Sequence, residues 1–169
     1  MAMKKIFSAR MILLLATLIL MSVSVADAQQ AIFLVRHAEQ SVETDDPELT
    51  ETGKQRAKRL ASVLKDAGIN VIYTTERKRS IQTAEPAEQL LNIARKQLAL
   101  RDLDGLVAQL RNQNAHDRIL VVSHHLVLPR LLKALGHPSE FTIQLHEYDN
   151  LFVIIPKSEG SPMVLRLRY

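Results

Sequence analysis

The 169-residue chain contains no cysteine, few aromatic residues and no long block of one charge. The absence of cysteine excludes disulfide bonds, thiolate-bound metal ions and a lipid-modified cysteine. Aromatic residues make up only 4% of the chain, and its lysines and arginines do not form long runs. A nucleic-acid surface built from basic and stacking residues is therefore not expected, and no nucleic-acid partner is predicted.

The longest uncharged apolar run lies near the amino terminus. It extends from Met11 to Val25, after a short basic stretch that ends at Arg10, and Ala26 and Ala28 follow it two positions apart. This pattern predicts a secretory signal over residues 1–28, cleaved after Ala28, and a periplasmic or secreted protein without stable membrane insertion. A retained membrane anchor is the alternative, but the run is shorter than the ~20 residues that span a bilayer.

The remaining residues, 29–169, have the length of one ordinary domain. The predicted signal contains Lys4, Lys5, Arg10 and Asp27, so the formal net charge falls from +4 to +2 when it is removed. The high isoelectric point of the chain is therefore due in part to the signal.

Continuous apolar runs alternate with segments whose apolar residues recur at helical spacing. The runs 31–35, 71–73 and 119–122 predict buried strands, and residues 98–100 suit a further short strand. A hairpin is predicted at the carboxyl terminus, from strands 151–155 and 163–168. Helices are predicted from the cap Thr50 to Gly68 and over residues 79–91, 103–110 and 126–135. This order predicts an α/β fold, a three-layer α/β/α sandwich with a mostly parallel central sheet.

Charged and polar side chains follow each of the three clear strands. Arg36 and His37 follow the first, Arg79 lies after the turn that follows the second, and His124 and His125 follow the third. Ligands of an open parallel sheet bind beyond the carboxyl ends of its strands. We therefore expect these arginines and histidines to meet in one pocket.

Such a pocket suits a phosphoryl group. A pair of arginines binds phosphate oxygens with planar forks and neutralises the dianion that would repel a nucleophile. A neutral imidazole, held by a backbone acceptor at one nitrogen, is then able to attack phosphorus with the other. The second histidine, protonated beside the phosphate, would stabilise the charge that develops in the transition state.

Four motifs in this order resemble the histidine phosphatase superfamily, in its phosphoglycerate-mutase-like branch. They are residues 33–39 (Phe-Leu-Val-Arg-His-Ala-Glu), 49–57 (Leu-Thr-Glu-Thr-Gly-Lys-Gln-Arg-Ala), 75–84 (Thr-Glu-Arg-Lys-Arg-Ser-Ile-Gln-Thr-Ala) and 122–125 (Val-Ser-His-His). The chain departs from the family pattern at Arg56, where glutamine is usual, at Thr75, where serine is usual, and at His125, where glycine is usual.

The resemblance implies a role for each matched residue. His37 is the phosphate-accepting histidine, Arg36 and Arg79 are phosphate ligands, and His124 is the second catalytic histidine. His125 either narrows the pocket or adds a donor to the phosphate. No cofactor is implied.

The general acid that protonates the leaving oxygen is less clearly marked. Family members that act on alkyl phosphates often carry a glutamate after the second helix, and residues 100–105 (Leu-Arg-Asp-Leu-Asp-Gly) resemble a shortened form of that segment. Asp102 is the first choice, followed by Asp104 and Glu39. The alternative is that the two aspartates only begin the next helix, where its positive end favours them.

The expected activity is hydrolysis of a phosphorylated small molecule or an envelope sugar phosphate, through a phosphohistidine on His37. The alternatives are a catalytically weak phosphate- or glycan-binding module and a phosphatase of phosphohistidine proteins. A metal site formed by His37, Glu39, His124 and His125 is disfavoured, because the neighbouring arginines would repel a cation and the spacing is not specific for zinc.

Overall fold

The computed structural model describes residues 30–42, 44–98, 102–112, 116–137, 142–157 and 159–169. The predicted signal, residues 1–28, lies outside the described residues. Among the described residues, no helix is both long enough and apolar enough to cross a bilayer.

Within this part of the chain, six strands form one sheet and four helices pack on it. The strands are β1 (Ala31–Arg36), β2 (Val71–Thr75), β3 (Lys96–Leu98), β4 (Arg118–Ser123), β5 (Asn150–Ile155) and β6 (Met163–Arg168). The helices are α1 (Glu51–Leu64), α2 (Lys78–Leu91), α3 (Leu103–Arg111) and α4 (Leu128–Ala134).

The strand order across the sheet is β3-β2-β4-β1-β5-β6. The first four strands are parallel, whereas β5 is antiparallel to β1 and β6 is antiparallel to β5. The register of β1 with β4 places Ala31 opposite Arg118 and Arg36 opposite Ser123. Three neighbouring strands, β2, β4 and β1, therefore end at the same edge of the sheet.

Both faces of the sheet are covered, which explains why its central strands are apolar without alternation. On one face, α1 and α2 contribute Leu60, Leu64 and Ala84 to a core that includes Ile72 and Leu120. On the other face, α3 and α4 cover the sheet with the buried side chains Leu106, Leu110, Leu128, Leu131 and Leu132. The predicted three-layer sandwich with a mostly parallel sheet is confirmed.

The boundaries of several elements differ from the prediction, among them the end of α1, which is Leu64 and not Gly68. Strand β2 continues to Thr75, and β3 begins at Lys96, so that only Leu98 of the predicted strand 98–100 is described. Helix α4 begins at Leu128 instead of residue 126, because the preceding residues form a turn in which the Val127 and Leu128 amides both donate to His124 O. The carboxyl-terminal hairpin has the predicted pairing.

The start of α1 is joined to the segment that follows β1. Thr50 caps the helix by accepting a hydrogen bond from Gly53 N at 3.1 Å, and its own amide donates to Glu39 O at 2.9 Å. A Cβ on Gly53 would overlap the Glu39 carbonyl. The glycine of the motif in residues 49–57 thus permits a close approach between the helix and the backbone two residues beyond His37.

We expect Gly53→Ala to destabilise the protein, although alanine normally favours a helix over glycine. The added methyl group must displace the Glu39 backbone, which we expect to lower the free energy of unfolding by about 1–3 kcal/mol. Urea denaturation would measure this change. Lys54→Ala, one position along at an exposed site, is the matched control and should change stability by less than about 0.5 kcal/mol. A Gly53→Ala protein as stable as the wild type would contradict the tight approach.

Candidate active site

The polar residues predicted to meet do so at the ends of β1, β2 and β4. Arg36 is the last residue of β1, and His37 continues its ladder by donating its backbone N–H to Ser123 O, at 2.9 Å. His124 follows Ser123 directly at the end of β4. The His37 and His124 rings lie with their centroids 5.1 Å apart and their planes tilted by 60°.

The orientation of His37 leaves one ring nitrogen for chemistry. Its Nδ1 lies 2.8 Å from Ala38 O, and because a carbonyl only accepts, Nδ1 carries the hydrogen. Nε2 is then the unprotonated nitrogen. The ring is buried, with only 3% of the residue exposed. This is the arrangement that a nucleophilic histidine requires, with its tautomer fixed by the backbone.

His124 is held by the hydroxyl group of Thr75, which is itself oriented by Ser80. The Thr75 hydroxyl donates to Ser80 Oγ at 2.8 Å and lies 3.0 Å from His124 Nε2. With its hydrogen committed to Ser80, Thr75 accepts from Nε2–H, which leaves Nδ1 of His124 for a phosphate oxygen. Thr75, where the family has serine, therefore keeps the hydroxyl that orients the second histidine.

Arg36 is fixed by the backbone of the loop before β5. Its Nη1 donates to Leu145 O at 2.8 Å, with Glu147 O at 3.2 Å and Gln144 O at 3.3 Å. The guanidinium carbon lies 3.8 Å from the centre of the Tyr148 ring, which is a cation–π contact. Its Nε is buried and has no hydrogen-bond partner among the described residues.

Arg79 lies in the first turn of α2. Its backbone carbonyl accepts from the Thr83 hydroxyl at 2.7 Å, and Thr83 Oγ1 in turn accepts from Ala38 N at 2.9 Å. One hydroxyl thus joins the helix of this arginine to the residue after His37. Arg79 Nη1 is 3.9 Å from Asp46 Oδ1, and its Nε is another buried donor without a partner in the described part of the chain.

These side chains line one open cleft of about 500 Å³. Four of the predicted site residues contribute to it, and so does His125, which stands where glycine is usual in the family. The described residues that line it are Arg36, His37, Gln40, Arg79, His124, His125, Leu126, Val127, Leu145 and Tyr148.

Burial keeps both catalytic-site histidines neutral. Burial, together with the charges of Arg36 and Arg79, lowers the pKa of His37 from its ordinary value of 6.5 to about 3, against the opposing effect of the Ala38 hydrogen bond. Burial and the charge of Arg79 lower the pKa of His124 to about 4. His37 therefore has the nucleophilic form at neutral pH, whereas protonation of His124 requires the negative charge of a bound phosphate.

The proposed general acids lie elsewhere. The Asp102 carboxylate accepts a hydrogen bond from Gly105 N at 2.8 Å and so caps α3. Asp104 lies in the first turn of the same helix, and both positions agree with the alternative that these aspartates begin that helix. Asp102 lines a separate, smaller pocket with Thr75 and Ser123. Neither aspartate is among the described residues that line the cleft.

Glu39 is bound to Arg56 by a bidentate ion pair, with Nε at 2.9 Å from both carboxylate oxygens and Nη2 at 2.7 Å from Oε1. Although burial opposes it, this pairing lowers the pKa of Glu39. A carboxyl group held ionised in this way is a poor proton donor. Arg56, the departure from the family's glutamine, is thus the partner of Glu39. Within the described residues, no group of three or more histidine, aspartate or glutamate side chains is placed to share a metal ion.

Tyr148, Leu145 and Gln40 also line the cleft, and none of them was predicted from the sequence. Tyr148 carried a weak signal, because it is one of only three tyrosines and precedes an apolar strand. Leu145 accepts a hydrogen bond from Arg36 through its backbone carbonyl. Every residue has such a carbonyl, so this contact could not be predicted from the side chain. Gln40 Oε1 is buried at the cleft without a partner in the described structure.

The neutral histidines predict a pH-dependent stability. Above pH 6.5, His37 is neutral in the folded and unfolded chain, and as the pH falls towards 3 only the unfolded chain gains a proton, so stability is lost. Substitution His37→Gln should therefore reduce the slope of unfolding free energy against pH by about 1.4 kcal/mol per unit between pH 4 and 6. Urea denaturation across this range measures the slope. An unchanged slope would show that His37 is protonated in the folded protein.

A sequence model of the histidine phosphatase superfamily, branch 1, matches residues 32–105. The match includes three of the four motifs, and the fourth, at residues 122–125, lies beyond it. No curated protein matches the chain by sequence.

Three solved structures with a similar fold are named as phosphatases. The protein histidine phosphatase SixA, complexed with tungstate, is 19% identical with a TM-score of 0.68, and the alignment covers 82% of this chain and 96% of SixA. Phosphoserine phosphatase from Entamoeba histolytica, in complex with 3-phosphoglyceric acid, is 18% identical with a TM-score of 0.61, covering 83% and 97% of the two chains. Mycobacterial glucosyl-3-phosphoglycerate phosphatase is 13% identical with a TM-score of 0.65, covering 82% and 97%.

Proposed function

We propose that this chain is a member of the histidine phosphatase superfamily, whose sequence model matches residues 32–105, and that it hydrolyses the phosphate monoester of a small molecule through a phosphohistidine on His37. The observation that carries the proposal is the arrangement around Nε2 of His37. Nδ1 is held by Ala38 O, and two arginines in the same cleft each have a buried Nε donor without a partner in the described structure. Both arginines line this cleft, and a phosphate dianion bound there would pair with their two positive charges.

In the proposed reaction, Nε2 of neutral His37 attacks phosphorus as the bond to the leaving oxygen breaks. Arg36 and Arg79 neutralise the phosphoryl oxygens, and His124, protonated once the dianion is bound, stabilises their developing charge. The leaving oxygen takes a proton as it departs. Water then attacks the phosphohistidine, which releases inorganic phosphate and returns His37 to its neutral form.

Two of the structural neighbours support a small-molecule substrate. One was solved with 3-phosphoglyceric acid, and another is named for glucosyl-3-phosphoglycerate. We also propose that the apolar run Met11 to Val25 directs export, so that the enzyme acts in the periplasm or the medium, where an envelope sugar phosphate is one accessible substrate.

His37→Ala should abolish hydrolysis of p-nitrophenyl phosphate, because it removes the nitrogen that attacks phosphorus. We expect a fall in kcat of at least roughly a thousandfold with the fold retained, judged by circular dichroism and urea denaturation. The exposed His116, which precedes β4 at the opposite end of the sheet, provides a matched control as His116→Ala. Wild-type activity in His37→Ala would remove the nucleophile assignment.

A second candidate function is the dephosphorylation of phosphohistidine proteins. It is favoured by the absence of a carboxylate among the described residues that line the cleft, since cleavage of a P–N bond depends less on a carboxylic acid. Comparing turnover of a phosphohistidine-bearing protein with that of small phosphate esters distinguishes the two activities. If well-folded protein binds phosphate but turns over neither kind of substrate, the chain is instead a phosphate- or glycan-binding module.

Asp102→Asn tests the general acid directly. Asparagine caps a helix as well as aspartate does, so α3 should remain intact while the ionisable group is lost. An acid acting on the leaving oxygen would make the variant lose more activity towards alkyl phosphates than towards p-nitrophenyl phosphate, whose leaving group needs little protonation. Because Asp102 caps α3 outside the cleft lining, we expect kcat/KM to change equally, within about twofold, for both substrates.

A further inference from the structure

The cleft has an apolar rim that phosphate binding does not explain. Leu126 is 71% exposed and Leu145 is 69% exposed, and both line the cleft beside Val127 and Tyr148. Single exposed leucines are common on protein surfaces. Here two of the three most exposed large apolar side chains in the described structure border the same opening, where a bound ligand would cover them.

The rim is fixed relative to the phosphate-binding groups. Leu145 O accepts the 2.8 Å hydrogen bond from Arg36 Nη1. Leu126 lies in the turn that Val127 N and Leu128 N close on His124 O, at 2.9 and 3.0 Å. Each leucine is therefore held beside a residue that binds the phosphate. The organic group of a bound phosphate ester would have to lie against this rim.

The described lining of the cleft also contains no carboxylic acid that could protonate a leaving oxygen. Its charged residues are Arg36 and Arg79, which the phosphate engages, and no lysine or carboxylate lines the cleft in the described structure. Without a carboxylic acid, the leaving oxygen has to depart with little protonation. A phenol, with a pKa of about 10, leaves far more readily in this way than an aliphatic alcohol.

We propose that the substrates are aryl phosphates, in which an uncharged aromatic ring lies against Leu126 and Leu145. This inference rests on the proposed function and narrows its substrate class away from sugar phosphates. As His37 Nε2 forms its bond to phosphorus, the P–O bond breaks and its electron pair leaves with the aryl oxygen, which takes a proton from solvent. Water then hydrolyses the phosphohistidine to inorganic phosphate.

Phosphonates test the rim without any chemistry, because their P–C bond is not hydrolysed. Isothermal titration calorimetry should show benzylphosphonate binding roughly tenfold more tightly than methylphosphonate, since only the former buries a ring. In Leu126→Ser and Leu145→Ser this preference should fall to roughly threefold or less, while the Kd of methylphosphonate is unchanged. Leu90→Ser, at a side chain 55% exposed on α2, is the matched control and should retain the full preference.

The outcomes separate the substrate class from the reaction. Equal Kd values for the two phosphonates, or a preference that both rim variants retain, would overturn the aryl proposal. A parallel assay measures turnover of phenyl phosphate, phosphoserine and glucose 6-phosphate. Hydrolysis of all three with equal phosphonate affinities would leave the proposed function standing and the rim proposal refuted. A benzylphosphonate preference without any turnover would refute the proposed function and retain the aromatic binding site.

Discussion

The parallel pairing of β1 with β4 is the constraint on which the site depends. Its register ends with Arg36 opposite Ser123, so His37 and His124 leave the sheet side by side. Because side chains alternate along a strand, a slip of one residue would turn Arg36 to the other face of the sheet. The register is fixed by buried residues of β1 and β4 that pack on both faces, such as Leu34 and Val122. The packing of the core therefore sets the geometry of the catalytic groups.

The fold and the centre of the site were predictable because both depend on strong local patterns. Apolar runs such as 119–122 exist only where both faces of a strand are covered, and the carboxyl ends of neighbouring parallel strands share one edge. Arg36, His37, Arg79 and His124 are therefore placed by topology as well as by the family motifs. The glycine at position 53 has an equally physical origin, since its missing side chain makes room for the Glu39 carbonyl.

The remainder of the site was not predictable, for identifiable reasons. A carboxylate before a helix looks the same in sequence whether it only caps the helix or also donates a proton, and the structure adds that Asp102 caps α3. The loop that holds Arg36 acts through the carbonyls of residues 144, 145 and 147, and any sequence supplies carbonyls. Glu39 and Arg56 lie in different motifs and are 17 residues apart in the sequence. Their ion pair becomes apparent only once α1 has been placed on the sheet.

Arg36 is already in place before any ligand binds. Three carbonyls surround its Nη1 and the Tyr148 ring covers its guanidinium, so the roughly 2 kcal/mol of side-chain entropy that an arginine can lose on binding has been lost on folding. A tetrahedral anion therefore meets donors that do not need to reorganise, whether it is a phosphoryl group in transfer or the phosphate ion released afterwards. In the proposed reaction, this rigidity would make the released phosphate a competitor of the substrate, and free phosphate around the protein would slow turnover.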